Sequence, residues 1–112
     1  MVNGFRYFCY LLLSLQAADI SDYEAISAAI HESSEWRPID VLVCNAGVTR
    51  ISYLDQLPID RIASTVQTNI TGTLYTLRAA LPLMKQRSSR HCRLALVFMG
   101  SLASLVKVHN SV

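Results

Sequence analysis

Short apolar runs between polar or small residues mark the predicted strands of this chain. Residues 39–44 and 94–99 are rich in β-branched and other apolar side chains, and each run ends at a turn-forming segment. A third run, residues 10–17, leads directly into Asp19. Such nearly continuous apolar runs are typical of parallel strands that are covered on both faces. The pattern therefore predicts three strands of a parallel sheet.

Apolar positions at helical spacing predict one helix between each pair of strands. The first helix follows residues 19–22, which supply N-cap candidates, and Glu24 stands three residues after Ser21 as in a capping box. Its stripe fades at residues 33–34. The second helix begins near Pro58 and ends at residues 88–89. Its buried stripe recurs at steps of three and four residues, at Ile62, Val66, Ile70, Leu74, Leu77, Leu81 and Met84.

Two helix-breaking residues lie inside this long second helix. Gly72 costs about 1 kcal/mol of helix stability relative to alanine, but its missing side chain would let the helix pack closely on a neighbour. Pro82 removes a hydrogen bond to the carbonyl of Arg78, which predicts a bend in the last turn. We expect a close contact at Gly72 and a bend near Pro82.

The order strand, helix, strand, helix, strand predicts an α/β fold with three layers, a parallel sheet and right-handed crossovers. The composition agrees, because 52% of the 112 residues are apolar and only 16% are charged. The length suits one domain. A net charge of +2 is too small to suggest a nucleic-acid partner. The basic residues at positions 85–93 fit a solvated connection between two elements.

The cysteines and histidines do not form a pattern with an obvious chemistry. Three cysteines are an odd number without C-x-x-C spacing, which favours reduced intracellular thiols over a disulfide scaffold. The three histidines lie far apart in sequence, so no metal site is expected. His91 and Cys92 are adjacent, whereas nucleophile and base normally come from distant positions. We therefore reject a thiol nucleophile.

The amino-terminal apolar segment has two interpretations. Residues 5–15 resemble part of a signal peptide, with small residues following at positions 17–18. That interpretation would make the chain a small secreted protein. A transmembrane helix needs about 20 apolar residues, more than this run supplies. We favour a buried strand over residues 10–17.

The carboxyl ends of the three predicted strands carry distinctive residues. They end at Asp19, at residues 45–47 and at residues 100–101. In open parallel sheets, ligands bind beyond these ends. An acid, a glycine that allows close backbone approach and a serine hydroxyl would therefore line one rim. This convergence predicts a nucleotide site.

Four segments together resemble the short-chain dehydrogenases/reductases. Ala18-Asp19-Ile20 resembles the family's acidic step after its third strand, and Val43-Cys44-Asn45-Ala46-Gly47 its Asn-Ala-Gly motif. Residues 68–72 match the helical asparagine segment, and residues 97–103 the strand before the catalytic serine. Their order and spacing agree over residues 10–105. The resemblance implies a partial Rossmann-type domain over residues 1–112, without the first βαβ unit and the carboxyl-terminal part.

The resemblance also implies cofactor-binding residues. Asp19, with Ile20 beside it, would bind the adenine amine of a nicotinamide cofactor. Asn45, Ala46 and Gly47 would support the sheet and border the cofactor's ribose. NADPH is favoured over NADH, although the segment that decides this in the family is not among the printed residues.

Two residues carry implied catalytic roles. Ser101 would hydrogen-bond the substrate carbonyl and stabilise the developing alkoxide. Asn69 would hold a water near the family's active-site lysine, and its place at the edge of the buried stripe predicts a buried amide that needs partners. The alternative is an asparagine that only satisfies a kink in the helix.

The printed sequence departs from the family at two sites. None of its five tyrosines has a lysine four residues later, and its four glycines cannot form the phosphate-binding loop. At the family's spacing the catalytic tyrosine would fall just beyond Val112. The Ser-x-x-Lys ending at Lys107 is a chance match that we reject. We therefore expect that the printed chain does not reduce a ketone by itself and is a segment of an active oxidoreductase. The alternative is a catalytically inactive fragment or an interaction-only product.

Residues 76–87 resemble one branch, the 3-ketodihydrosphingosine reductases, and the spacing from Asn69 to Ser101 also fits it. The branch implies NADPH-dependent reduction of a lipid-like ketone in sphingolipid biosynthesis, at the cytoplasmic face of the endoplasmic reticulum membrane. The alternative is a family member acting on another ketone or alcohol. Membrane attachment and self-association of the parent stay open.

Overall fold

The computed structural model describes residues 15–49, 52–87 and 94–100. Predicted features at other positions lie outside these residues: Ser101, the cysteine beside His91, Lys107 and most of the apolar amino-terminal run. The described helices and strands are α1 (Tyr23–Trp36), β1 (Val41–Cys44), a 3₁₀ turn (Leu54–Gln56), α2 (Ile59–Val66), a π-helical turn (Gln67–Gly72), α3 (Thr73–Arg87) and β2 (Ala95–Phe98).

The two described strands pair in parallel, as the sequence predicts. Val41 lies opposite Ala95 and Cys44 opposite Phe98. One further backbone bond extends the pairing at the carboxyl end, where the Met99 amide donates to the Cys44 carbonyl at 3.1 Å. β1 begins two residues later than the apolar run that predicts it and ends at the same residue, whereas β2 is one residue shorter at each end.

The predicted strand over residues 10–17 is wrong for its described part. Residues 15–17 have no strand structure, and Leu15 is 84% exposed. A strand requires a hydrogen-bonded neighbour, and neither β1 nor β2 pairs with this segment. Residues 10–14 lie outside the described part, so for them the strand remains a prediction.

Helix α1 begins at one of the predicted caps, but the capping box is absent. The Asp22 carboxylate accepts hydrogen bonds from the Glu24 and Ala25 amides at 3.0 and 3.2 Å. Ser21 instead donates its hydroxyl to Asp19, which removes it from capping. The helix continues to Trp36, two residues beyond the predicted fade at residues 33–34.

Replacing Asp22 by alanine should lower the free energy of unfolding by about 1 kcal/mol, since two amides of the first turn lose their acceptor. Ser21→Ala should cost less, because the serine does not cap the helix. Urea denaturation followed by circular dichroism measures both variants. A larger loss for Ser21→Ala would show that the capping box forms in solution.

The long second helix is continuous but not uniformly α-helical. Its middle turn, Gln67–Gly72, is a π-helix, and α3 runs through Pro82 to Arg87. The predicted buried stripe is wrong for its first half, where Val66, Ile70 and Leu74 are all about half exposed. On this helix the buried core residues are Ala79, Ala80 and Met84, so these three earlier side chains lie outside the described core.

The core lies between α1 and α3. Ile30, Ala79, Ala80 and Met84 are buried there, and six partly buried side chains surround them: Tyr23, Ile26, Ile39, Leu42, Leu83 and Leu94. Tyr23 also meets Tyr75 edge to face, with ring centroids 5.4 Å apart. The small alanines let α3 approach both α1 and the sheet.

No helix within the described ranges is long and apolar enough to span a membrane.

Candidate functional site

The carboxyl ends of β1 and β2 form one rim, as the sequence predicts. Because Cys44 pairs with Phe98, the segment from Asn45 to Gly47 leaves the sheet beside Met99 and Gly100. Gly100 is the residue before Ser101, which lies outside the described residues. The structure therefore places the Asn-Ala-Gly segment at the rim and leaves the predicted role of the serine a prediction.

Two cavities adjoin this rim, one of about 300 Å³ at Val48 and Thr49 and a smaller one of about 180 Å³ at Asn45 and Ala46. The smaller cavity brings Ile20 together with Asn45 and Ala46. Its remaining walls come from α1, β1 and α3: Ile26, Val43, Cys44, Thr73 and Thr76. Two predicted cofactor segments, distant in sequence, thus share one mostly apolar pocket.

Asp19 directly precedes Ile20 in the loop before α1. Its Oδ1 accepts hydrogen bonds from the Ser21 amide at 2.9 Å and the Ser21 hydroxyl at 2.8 Å. These two bonds lower the pKa of the Asp19 carboxyl, so the group is ionised at neutral pH. The exposed carboxylate makes no other hydrogen bond within the described residues, which leaves Oδ2 to accept from a ligand amine.

Asn69 does not match its prediction of a buried amide, because its side chain is exposed. Its Oδ1 accepts from the Val48 amide at 2.7 Å, and its Nδ2 donates to the Val48 carbonyl at 2.8 Å. The side-chain amide of Asn69 therefore has the hydrogen-bond partners that it needs, and both are backbone groups of Val48 at the rim. The side chain clamps the segment after the Asn-Ala-Gly motif to the second helix.

Gly47 meets the same side chain. A Cβ on Gly47 would lie 3.2 Å from Asn69 Oδ1, tighter than ordinary contact. Its φ is outside the left-handed region, so a positive φ does not explain the glycine. The glycine instead provides room for the Asn69 clamp.

One contact at the rim was not predicted from the sequence. Gln67 Nε2 donates to the Ser21 carbonyl at 3.2 Å and so joins the π-helical turn to the loop before α1. A glutamine at an exposed helical position usually faces water, and its spacing carries no sign of this partner. Gly72 was the available signal that this part of the helix contacts another segment, because a glycine inside a helix often marks the close approach of a neighbouring backbone.

The larger cavity lies beside Asn69, between the rim and α2. Val48 and Thr49 form its rim side, and apolar side chains of the following loop and of α2 form the rest: Leu54, Leu57, Ile62 and Val66. Thr65 and Asn69 contribute polar groups. This apolar groove opens on the same side of the rim as the asparagine clamp.

The rejected pair of His91 and Cys92 lies outside the described residues, so the structure describes only the thiol of Cys44. Burial raises the pKa of the Cys44 thiol, which keeps it protonated near neutral pH. No group of three metal-ligating side chains occurs among residues 15–49, 52–87 and 94–100.

Comparison with known proteins decides the family. A sequence model described as short chain dehydrogenase matches residues 12–112. The chain belongs to the short-chain dehydrogenase family. The predicted resemblance is therefore confirmed over nearly the whole sequence.

Two relatives with similar sequence identity to this chain have different names. A 3-dehydrosphinganine reductase from Arabidopsis thaliana is 40% identical over 74 residues, which cover 66% of this chain and 22% of that protein. Human 17-beta-hydroxysteroid dehydrogenase type 1 is 42% identical over 71 residues, covering 63% and 21%. The chain spans about a fifth of the length of these relatives.

Solved structures confirm the predicted fold class. A 3-oxoacyl (acyl-carrier-protein) reductase from Agrobacterium tumefaciens C58, determined with NADP bound, matches with a TM-score of 0.64 and 29% identity. The match covers 78% of this chain and 32% of that one. The described elements thus form part of the Rossmann-type sheet and helices of the short-chain dehydrogenases.

Proposed function

We propose that this chain is a segment of an NADPH-dependent oxidoreductase that reduces a ketone to an alcohol. The observation that carries the proposal is the shared pocket of Ile20, Asn45 and Ala46 at the carboxyl rim of a parallel sheet. Ligands of open parallel sheets bind at this rim. Family membership makes a nicotinamide cofactor the natural occupant.

The residues present fit the adenine end of such a cofactor. Asp19 is ionised, and its Oδ2 is available to an amine donor. Ile20 and Ala46 offer an apolar surface beside it, suited to a flat aromatic ring. We assign Asp19 and Ile20 to the adenine, and the segment from Asn45 to Gly47 to the adjoining ribose.

The chemistry at the other end would depend on Ser101 and on Asn69. The bound cofactor supplies a hydride to the substrate carbonyl carbon. Ser101 would donate a hydrogen bond to the carbonyl oxygen and stabilise the alkoxide that forms there. The tyrosine expected after Ser101 in the parent enzyme would supply the proton that converts this alkoxide to the alcohol. Asn69 holds Val48 in place through two hydrogen bonds, and in this proposal it would fix the rim on the substrate side.

We propose 3-ketodihydrosphingosine as the favoured substrate of the whole enzyme. The enzyme would then act in sphingolipid biosynthesis, at the cytoplasmic face of the endoplasmic reticulum membrane. Its support is the similarity to the Arabidopsis 3-dehydrosphinganine reductase. The apolar groove beside Asn69 is also compatible with a lipid-like ketone. A 17-ketosteroid is the second candidate, because the human 17-beta-hydroxysteroid dehydrogenase has comparable identity.

The test begins with the complete transcript and the endogenous protein that contains this segment. We expect a glycine-rich loop upstream and Tyr-x-x-x-Lys shortly after Ser101. The purified parent should oxidise NADPH with 3-ketodihydrosphingosine faster than with a 17-ketosteroid. Ser101→Ala should lower kcat about 10²- to 10³-fold, as removal of an oxyanion donor does elsewhere, whereas Ser104→Ala should leave it unchanged.

The 112-residue chain itself should show no turnover with either ketone, since it contains no Tyr-x-x-x-Lys. Turnover by this chain that Ser101→Ala abolishes would contradict the assignment of catalysis to the longer enzyme. A folded parent that binds NADPH but reduces neither ketone would contradict the proposed substrates.

A further inference from the structure

The π-helical turn contacts both loops of the candidate cofactor rim. Its first residue, Gln67, donates a hydrogen bond to the Ser21 carbonyl. Its last residue, Gly72, packs so closely on the same loop that a Cβ would lie 2.7 Å from Ile20 Cγ1 and 3.0 Å from the Ile20 carbonyl oxygen. Between them, Asn69 clamps Val48.

This double contact depends on the helix type. Residues five apart in an α-helix point about 140° away from each other around the axis. A π-helix closes its hydrogen bonds between residues i and i+5, which turns those residues toward the same side. Gln67 and Gly72 are five apart, so the π turn lets both face residues 20–21. Asn69, two residues after Gln67, then faces the other loop.

We propose that this turn fixes the spacing between the two rim loops, and that Gln67 is a positioning residue for the adenine end of the cofactor. The proposal rests on the proposed function, because it concerns the same cofactor site. Gln67 acts through the Ser21 carbonyl, one residue from Ile20 and two from Asp19. Loss of its hydrogen bond should therefore loosen the adenine side of the rim and leave the Val48 side unchanged.

The test compares Gln67→Met with Gln86→Met in the 112-residue chain. Methionine keeps the length of the side chain but cannot donate, and Gln86 lies on α3 away from the rim. Amide hydrogen exchange should accelerate at residues 20–24 in Gln67→Met alone. The amides of Val48 and Thr49 should keep their wild-type exchange, and both variants should keep the wild-type urea midpoint within error.

A second measurement asks whether the effect reaches the ligand. ADP and nicotinamide mononucleotide are titrated separately at millimolar concentration, with amide chemical shifts as the readout. Gln67→Met should weaken ADP binding about three- to tenfold, the range expected for one lost hydrogen bond. Nicotinamide mononucleotide should bind the variant and the wild type equally. A purely structural role would weaken both probes together.

Each outcome decides one claim. ADP binding that survives Gln67→Met, or equal weakening of both probes, would overturn the inference while the proposed function stands. Unchanged exchange at residues 20–24 would overturn it as well. Failure of ADP to shift any rim amide of the wild-type chain would overturn the cofactor site in this chain, and with it the role of Gln67.

Discussion

Replacing Met84 by alanine is expected to lower the free energy of unfolding by about 2–5 kcal/mol, the range for truncating a large buried side chain. Met84 is 2% exposed and lies in the described core with Ile30, Ala79 and Ala80. That core is small, so a cavity at its centre removes a large share of the contacts between α1 and α3. The urea midpoint of the chain measures the loss.

Met99 provides a control of the same residue type. It lies directly after β2 and is 59% exposed, so Met99→Ala should change the stability by less than about 0.5 kcal/mol. Met84→Leu, which nearly conserves volume, should cost less than about 1.5 kcal/mol and stay folded where the alanine variant does not. Equal effects of the two alanine substitutions would contradict the described core.

Replacing Gly72 by alanine is expected to destabilise the chain by about 1–2 kcal/mol. Overpacking costs about 1–3 kcal/mol, and the helix propensity of alanine returns up to about 1 kcal/mol. The added Cβ would meet the Ile20 side chain and also the Ile20 carbonyl, which cannot rotate away. The π turn and residues 19–21 must then separate.

The double variant Gly72→Ala with Ile20→Ala tests that contact. Removing the Ile20 side chain should restore part of the loss, because only the carbonyl contact at 3.0 Å remains. Gly100→Ala is the matched control: nothing lies within 4 Å of its added Cβ, so no destabilisation is expected. A stabilised Gly72→Ala variant would show that the helix and the loop are not in close contact in solution.

Features that depend on local composition could be predicted from the sequence. The β-branched run before Asn45 and the similar run before Gly100 identify two parallel strands and the rim at their ends. Gly72 inside an apolar helix predicts close packing, and Ile20 is the neighbour that the structure supplies. Four motifs in the family's order identify the short-chain dehydrogenase family.

Features that depend on tertiary register could not be predicted in the same way. Ser21 and Asp22 are both good caps, and only the hydrogen bond from Ser21 to Asp19 decides between them. The partner of Asn69 is a backbone segment 21 residues earlier, so no local pattern identifies it. Steps of four residues from Ile62 to Leu74 fit an α-helix tolerably, although they exceed its period of 3.6.

The π turn is the place where the second helix can change its length by one residue. A π turn holds one residue more than the α-helical turn it replaces. Deleting one residue from Gln67–Gly72 would therefore leave an α-helical turn, with the segments before and after it still nearly in phase. Deleting one residue elsewhere in the helix would rotate those two segments relative to each other by about 100°. Among relatives, variation of one residue in the length of this helix should therefore be found within this turn and not in α2 or α3.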